Sequence, residues 1–187
     1  LPGISTGQFK TESNSDAWEK ELQKQVSEYQ KAYDKIVKTY DELINKQVSA
    51  QEIERLNQNM VIDQLGIQEE MYRRIISMNN EMIKDSEEML KLSTLTTTQR
   101  KELEKQIEQY KDSNISAQES IRKIVEDRLN LELNMISQVV DKANEVTTAY
   151  SDMLKLVEAT TNDPNKKASL SNKIYSSLIN EYNSAVS

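Results

Sequence analysis

The sequence has no cysteine and no histidine among its 187 residues, and two kinds of chemistry are missing with them. Without cysteine there is neither a disulfide framework nor a thiolate that could act as a nucleophile. Without histidine the commonest general base and the commonest metal ligand are absent. We therefore predict that the chain is not an enzyme, that it has no catalytic, metal-binding or cofactor-binding residues, and that it uses no cofactor.

Glycine and proline are almost as scarce, with three and two residues in the whole chain. Between Gly66 and Pro164 the sequence contains neither. Domains rich in β-strands need turn residues at intervals of about 8–12 positions. Their absence over this distance excludes such a domain and predicts an all-α fold.

Large apolar residues are also few. Hydrophobic residues make up 36% of the chain, with one Phe and one Trp, whereas globular domains contain roughly 45–50%. Such a chain cannot build a thick core, but it can bury narrow apolar stripes between helices. We therefore predict long helices with coiled-coil-like packing, in an elongated helical hairpin or bundle with a shorter C-terminal helix.

No apolar run approaches the roughly 18–20 residues of a membrane span, so no transmembrane segment is predicted. The net charge of −7 is dispersed, without a basic patch that would favour nucleic acid. The first residues, LPGISTGQFK, lack an initiator Met and do not form a signal peptide. We expect a soluble chain that is a processed or excised part of a longer one.

The apolar periodicity predicts how the first half is organised. Residues 1–15 hold two of the three Gly and are predicted to be an extended N-terminal segment. Residues 16–92 form the first long helical arm, with apolar residues spaced three and four apart as in a helix-pairing seam. The first of these residues are Leu22, Val26, Tyr29, Tyr33, Ile36, Tyr40 and Leu43. The pattern shifts phase near 47–53, which predicts a stutter, a kink or a short break.

The stretch STLTTT, at 93–98, predicts a turn after which the chain doubles back, because its residues are weak helix formers. Residues 99–162 form the second long arm, with a possible break near 112–116. That break is suggested by Asp112, Ser113 and Asn114, which favour helix caps over helix interiors.

The later part of the second arm has an unbroken seam. Its members are Leu129, Leu133, Ile136, Val140, Ala143, Thr147, Tyr150, Leu154 and Val157. After it, Asp163 followed by Pro164 is a helix start signal, and a short C-terminal helix is predicted at 164–185. The seam is compatible with pairing inside one chain or between chains.

The tetrapeptide SAQE occurs twice, at 49–52 and at 116–119. In the pattern S-x-x-E the Ser and the Glu can cap the first turn of a helix reciprocally. Both copies lie where the apolar pattern changes phase, so we interpret them as helix punctuation. An internal duplication is the alternative.

Three groups of residues are candidate sites. Met71, Met78, Met82 and Met89 could form a soft-metal site or an adaptable groove, but we interpret them as core. The adjacent carboxylates at 69–70 and 87–88 are predicted to form surface pairs with Arg73, Arg74 and Lys91 at helical spacing. The eight tyrosines recur at or near seam positions and are interpreted as packing residues.

The pair Asn79 and Asn80 falls where the apolar stripe of the first arm passes. A buried Asn fixes the alignment or the oligomeric state of paired helices at a cost in stability. The alternative is that both lie at the edge of a wide stripe.

Two stretches, VSEYQKAYDKIVKTYDELINKQ at 26–47 and the Gln-, Lys- and Glu-rich residues 96–138, resemble the helical regions of phage tail tape measure proteins. The resemblance is one of style and composition. It implies a non-enzymatic structural protein of the virion, located in the tail, which sets tail length and leaves at DNA ejection. The partners implied are copies of itself in a homo-oligomer and other helical structural proteins.

Two other functions stay open. One is a helical interaction or adaptor module that binds partner helices, which an apolar stripe left bare after the helices pair would favour. The other is a secreted helical-bundle toxin or effector, although no apolar hairpin for membrane insertion is visible. A continuous helix would favour the tape-measure function, and the turn at 93–98 weighs against it.

Overall fold

The computed structural model describes residues 14–186, which form four α-helices and contain no strand. The helices are α1 (Asn14–Ile44), α2 (Ala50–Leu90), α3 (Thr97–Thr160) and α4 (Pro164–Val186). The predicted all-α fold is confirmed. Coiled-coil packing stays a prediction. The predicted extended segment at 1–15 lies outside the described residues, except for 14 and 15, which already belong to α1.

The first arm was predicted over 16–92 with a stutter, a kink or a short break near 47–53, and the structure has a short break at 45–49 that divides it into α1 and α2. The N–H of Lys46 donates to the Leu43 carbonyl at 3.1 Å, which tightens the end of α1 into a turn. Ser49 is then extended (φ −90°, ψ 123°), and its side chain accepts from the N–H of Glu52 at 3.4 Å. The first SAQE is therefore a helix N-cap.

The chain forms two compact units, Leu1–Leu129 and Asn130–Ser187. In the first, called unit 1, α2 runs antiparallel to α1. The Tyr40 hydroxyl donates to Asp63 at 2.7 Å near the turn. Farther from the turn a buried cluster joins the two helices, formed by Leu22, Met71, Ile75 and Met78.

The part of α3 that belongs to unit 1 packs antiparallel to α2. Arg128 forms an ion pair with Glu69 at 3.1 Å. At the other end Arg100 donates to the carbonyl of Leu90 at 2.8 Å. The apolar face of this part of α3 is buried and consists of Leu103, Ile107, Tyr110, Ala117 and Ile124. Unit 1 is therefore a three-helix bundle.

The turn between α2 and α3 occupies 91–96, close to the predicted 93–98. The Lys91 N–H bonds to the last carbonyls of α2. Thr96 and Gln99 form a reciprocal capping box, in which Thr96 N–H donates to Gln99 Oε1 at 2.9 Å and Gln99 N–H donates to Thr96 Oγ at 3.2 Å.

Helix α3 has no break near 112–116, so that prediction is wrong. The second SAQE lies inside the helix and does not start a new one. The Ser116 carbonyl accepts a hydrogen bond from the Ser120 hydroxyl at 3.0 Å. The reason is that Ser113 and Asn114 hydrogen-bond to α2, as described below, and do not cap α3. The interpretation of SAQE as a helix start is therefore right for the first copy only.

Unit 2 (Asn130–Ser187) contains the last part of α3 and α4, paired as an antiparallel hairpin. Asp163 accepts from the N–H of Asn165 at 2.9 Å and begins α4 one residue before Pro164. The Tyr150 hydroxyl donates to Glu181 at 2.7 Å, and Lys167 pairs with Glu158 at 3.0 Å across the turn.

Candidate functional site

Two of the four methionines that were interpreted as core residues are buried. Met71 and Met78 are buried in the α1–α2 cluster, whereas Met89 near the end of α2 is exposed. Among residues 14–186 no group of three or more His, Cys, Asp or Glu residues could hold a metal ion. The interpretation of Met71 and Met78 as core residues is confirmed by their burial.

Glu69, Glu87 and Glu88, three of the four adjacent carboxylates, form ion pairs. Glu69 accepts from Arg73 at 2.6 Å and pairs with Arg128 of α3, and the hydrogen bond from Arg73 lowers the pKa of Glu69. Lys91 bonds to Glu88 at 2.6 Å, whereas Glu87 lies 3.9 Å from Lys111. The predicted Glu87–Lys91 pair is therefore wrong, because Lys91 pairs with Glu88 and Glu87 is near Lys111 of α3.

A buried amide cluster joins α2 to α3 in unit 1. Asn79 is 0% exposed, and its Nδ2 donates to Ser113 Oγ and to Asn114 Oδ1, each at 3.0 Å. Asn114, itself buried, donates to Asn80 Oδ1 at 2.8 Å. Asn114 therefore accepts from Asn79 and donates to Asn80, and one of the two predicted Asn residues, Asn79, is at the centre of the interface, with its own Oδ1 buried and without a hydrogen-bond partner.

The geometry of this cluster favours the register function over the edge interpretation. If α3 moved one turn along α2, Asn79 and Asn114 would lose their partners while they remain buried. A buried polar group without a partner costs about 1–3 kcal/mol. The cluster therefore specifies one alignment of the two helices, and it offers no nucleophile or acid for chemistry.

The tyrosines fall into two groups. Tyr110 is buried and meets the Trp18 ring edge-to-face at 5.2 Å between centroids. Tyr40 and Tyr150 each donate to a carboxylate of the neighbouring helix, and this hydrogen bond raises the pKa of Tyr40 to about 12. Tyr175 and Tyr182 of α4 are different, because both are exposed.

Unit 2 leaves part of the predicted seam uncovered. Ala143 and Val146 are buried in the hairpin. Counting from the Tyr150–Glu181 bond, α4 ends near the level of residue 145. The seam residues before that level are exposed, and so is a second row on α4. The exposed fractions are Leu133 55%, Ile136 59%, Val140 51%, Tyr175 52%, Ile179 58% and Tyr182 44%.

These six residues, called the front face, share one side of the hairpin. An α-helix advances about 100° per residue. On α3, Ile136 and Val140 are turned by about 50° and 90° from the mean direction of Ala143 and Val146, which are buried in the hairpin. On α4, Tyr175 and Ile179 are turned by about 100° from Ile174 and Leu178, in the same rotational sense. In two antiparallel helices, offsets of the same sense turn these residues toward the same side.

The front face also lacks charge. Residues 133–140, LNMISQVV, contain no charged residue, and neither do residues 174–180, IYSSLIN. In a chain that is 29% charged, two such stretches distinguish these parts of α3 and α4 from the rest. Lys155, beside the α4 row, is exposed and turned by about 60° from the direction of Val140. The periodicity predicted the α3 row as part of a seam, but it did not indicate that this row stays exposed.

None of the helices within 14–186 has the length and apolarity that a membrane span requires. Comparison with protein families, with curated proteins and with solved structures finds no match for this chain.

Proposed function

We propose that this chain is a non-enzymatic helical interaction module that binds partner α-helices through the front face of unit 2. The observation that carries the proposal is the exposure of two rows of large apolar side chains on one side of unit 2, one on α3 beyond the end of α4 and one on α4. Exposed apolar surfaces mark interaction sites. An apolar helix face is stabilised when another element covers it.

The energy available from covering this face is enough for specific binding. Burying a large apolar side chain completely is worth about 1.5–3 kcal/mol. Each of the six is about half exposed, so covering them is worth roughly 1 kcal/mol apiece before the costs of association. An amphipathic helix lying across the face would supply complementary apolar side chains at the spacing i, i+3, i+4.

A structural function in a virion tail, as the resemblance to tape measure proteins implies, stays a second proposal. A chain that lies extended inside a tail tube requires one continuous helix. This chain reverses direction after α1, after α2 and again after α3, and within each unit the antiparallel helices are joined by side-chain contacts. These reversals favour the interaction module over the tail interior. No helix within 14–186 has the length and apolarity of a membrane span, and this gives the membrane-inserting toxin no support.

The proposal is tested with a fluorescently labelled amphipathic peptide that has Leu at heptad positions a and d and uncharged residues elsewhere. Its fluorescence anisotropy is followed during titration with the full chain and with the variant Ile136→Lys/Ile179→Lys. We expect binding to the unchanged chain and at least about tenfold weaker binding to the variant, because two buried ammonium groups oppose the contact.

Leu156→Lys serves as the matched control. Leu156 is 63% exposed on α3, but it lies about 160° around the helix from Ile136. This variant should bind the peptide as the unchanged chain does. Equal binding by all three proteins, or no binding by any, would contradict the proposal.

A further inference from the structure

We infer that the partner helix of the front face is basic, and that its Lys or Arg residues lie beside the acidic flanks of the exposed apolar row on α3. This row, called the α3 row, consists of Leu133, Ile136 and Val140, which are exposed. The partner's charge rests on the proposed function and adds to it the chemistry of the helix that is bound.

The α3 row has the spacing of a helix-pairing seam, and no helix of unit 2 lies beside it. Its three residues follow each other at intervals of three and four, as positions a, d and a of a heptad do. Counted from the Tyr150–Glu181 bond, α4 ends near the level of residue 145, before it reaches the row. One further helix can therefore lie along the α3 row and pack its own apolar residues against it.

The charged residues closest to the α3 row are acidic. Glu132 and Asp141 are exposed and are turned by about 70° and 110° from the mean direction of the row, one on each side. Neither carboxylate forms an ion pair with another residue among 14–186. Charges that flank an apolar seam decide which partner a helix accepts. Ammonium or guanidinium groups on the partner would find both carboxylates unpaired.

The lysines of α3 in unit 2 lie away from the row. Lys142 is turned by about 150° from it and lies 3.9 Å from Glu145. Lys155 points toward the same side as Val140, but it is about 22 Å farther along the helix and pairs with Asp152 at 3.3 Å. A basic helix on the α3 row is therefore attracted by the flanking carboxylates and meets no nearby ammonium group of residues 130–186.

The net charge of the chain acts in the same direction. At −7, it attracts a cationic helix and repels an anionic one within about a Debye length, roughly 8–10 Å at moderate salt. A second copy of this chain would bring the same net charge and the same carboxylates to the contact. The charges therefore favour a basic helix over a second copy.

Three labelled peptides test the inference by fluorescence anisotropy. All have Leu at heptad positions a and d, and they differ only at e and g, which are Lys, Gln or Glu. At about 20 mM salt, where screening is weak, the Lys peptide should bind the full chain at least about tenfold tighter than the Glu peptide. Each exposed pair of charges changes an affinity by up to about fivefold. In about 0.5 M salt the three affinities should converge.

Two charge variants locate the preference. Glu132→Gln/Asp141→Asn should lower the ratio of the Lys-peptide and Glu-peptide affinities at least about threefold, because it removes both flanking charges. The matched control is Glu145→Gln/Asp152→Asn, which changes the net charge equally at residues turned by about 130–150° from the α3 row. In the control the ratio should change less than about 1.5-fold. Far-UV circular dichroism verifies that each variant is helical.

The outcomes separate the partner's charge from the function. A Lys-peptide preference that the first variant lowers and the control preserves supports the inference. Equal affinities, or a preference for the Glu peptide, refute a basic partner but leave the interaction function standing if Ile136→Lys/Ile179→Lys weakens binding. An equal loss of preference in both charge variants assigns it to net charge and also refutes the inference. Binding of no peptide refutes the inference and the function together. A dimer of the chain in sedimentation velocity that Ile136→Lys abolishes would assign the row to a second copy.

Discussion

The amide cluster between α2 and α3 gives the sharpest stability prediction. We consider Asn79→Leu, Asn114→Leu and the variant with both changes. In Asn79→Leu, the buried Oδ1 of Asn114 loses its donor. In Asn114→Leu, Asn79 keeps its bond to Ser113 but loses the second acceptor. An unpaired buried polar group costs about 1–3 kcal/mol, so each single change should destabilise unit 1 by about 2 kcal/mol.

The double change should cost much less than the sum of the two single changes. Replacing both partners by apolar groups of similar shape is often nearly neutral, and Asn79 Oδ1, which has no hydrogen-bond partner, disappears with it. The predicted coupling energy between Asn79 and Asn114 is about 2 kcal/mol.

The assay is urea unfolding followed by the fluorescence of Trp18, the single Trp of the chain, which packs on Tyr110 in unit 1. Free energies from the four proteins give the coupling directly. If the single effects add to within about 0.5 kcal/mol, the two amides are independent and the reasoning is refuted. The double variant should also lose the fixed environment of Trp18, seen as a weaker near-UV circular dichroism signal, because a Leu pair tolerates shifted alignments.

Three further predictions follow from single contacts. Ser49→Ala should destabilise the chain by about 1 kcal/mol in urea unfolding because it removes the N-cap of α2, whereas Ser116→Ala, in the same tetrapeptide inside α3, should be neutral or slightly stabilising. Because folding lowers the pKa of Glu69, its contribution is present above its unfolded value and is lost as the pH falls, so stability between about pH 5 and 3 should fall less in Glu69→Gln. The raised pKa of Tyr40, about 12, makes its stabilising contribution complete below about pH 10, and Asp63→Ala should move one phenolate transition in ultraviolet absorbance to lower pH.

The helices themselves could be predicted from the sequence because glycine and proline are almost absent and the apolar spacing is regular. The start of α4 could also be predicted from the sequence, because Asp163 and Pro164 are a local signal that needs no tertiary contact. The division between α1 and α2 was visible only as a change of phase near Ser49. A stutter, a kink and a break share that signal, and the contacts that join α1 to α2, such as Tyr40 with Asp63, decide between them.

Only one of the two central residues of the amide cluster could be predicted from the sequence. Asn79 was conspicuous in an apolar stripe, but its partner Asn114 lies 35 positions away in a segment whose local preference is for a helix cap. A long-range hydrogen bond overrides that preference, which no local pattern can indicate. The same limit applies to the front face. The periodicity identified Leu133 and Ile136 as seam residues, but their exposure follows from the length of α4, which ends before it reaches them.

The most direct measurement uses the absence of cysteine in this chain. Two variants, Ile136→Cys and Leu156→Cys, each carry a single thiol on α3, one on the front face and one about 160° away from it. Their rates of reaction with a thiol reagent are compared without and with the designed amphipathic peptide. Binding of a partner helix to the front face predicts that the thiol at 136 becomes protected as peptide is added, while the thiol at 156 reacts equally fast throughout. No protection of the thiol at 136 at any peptide concentration would contradict it.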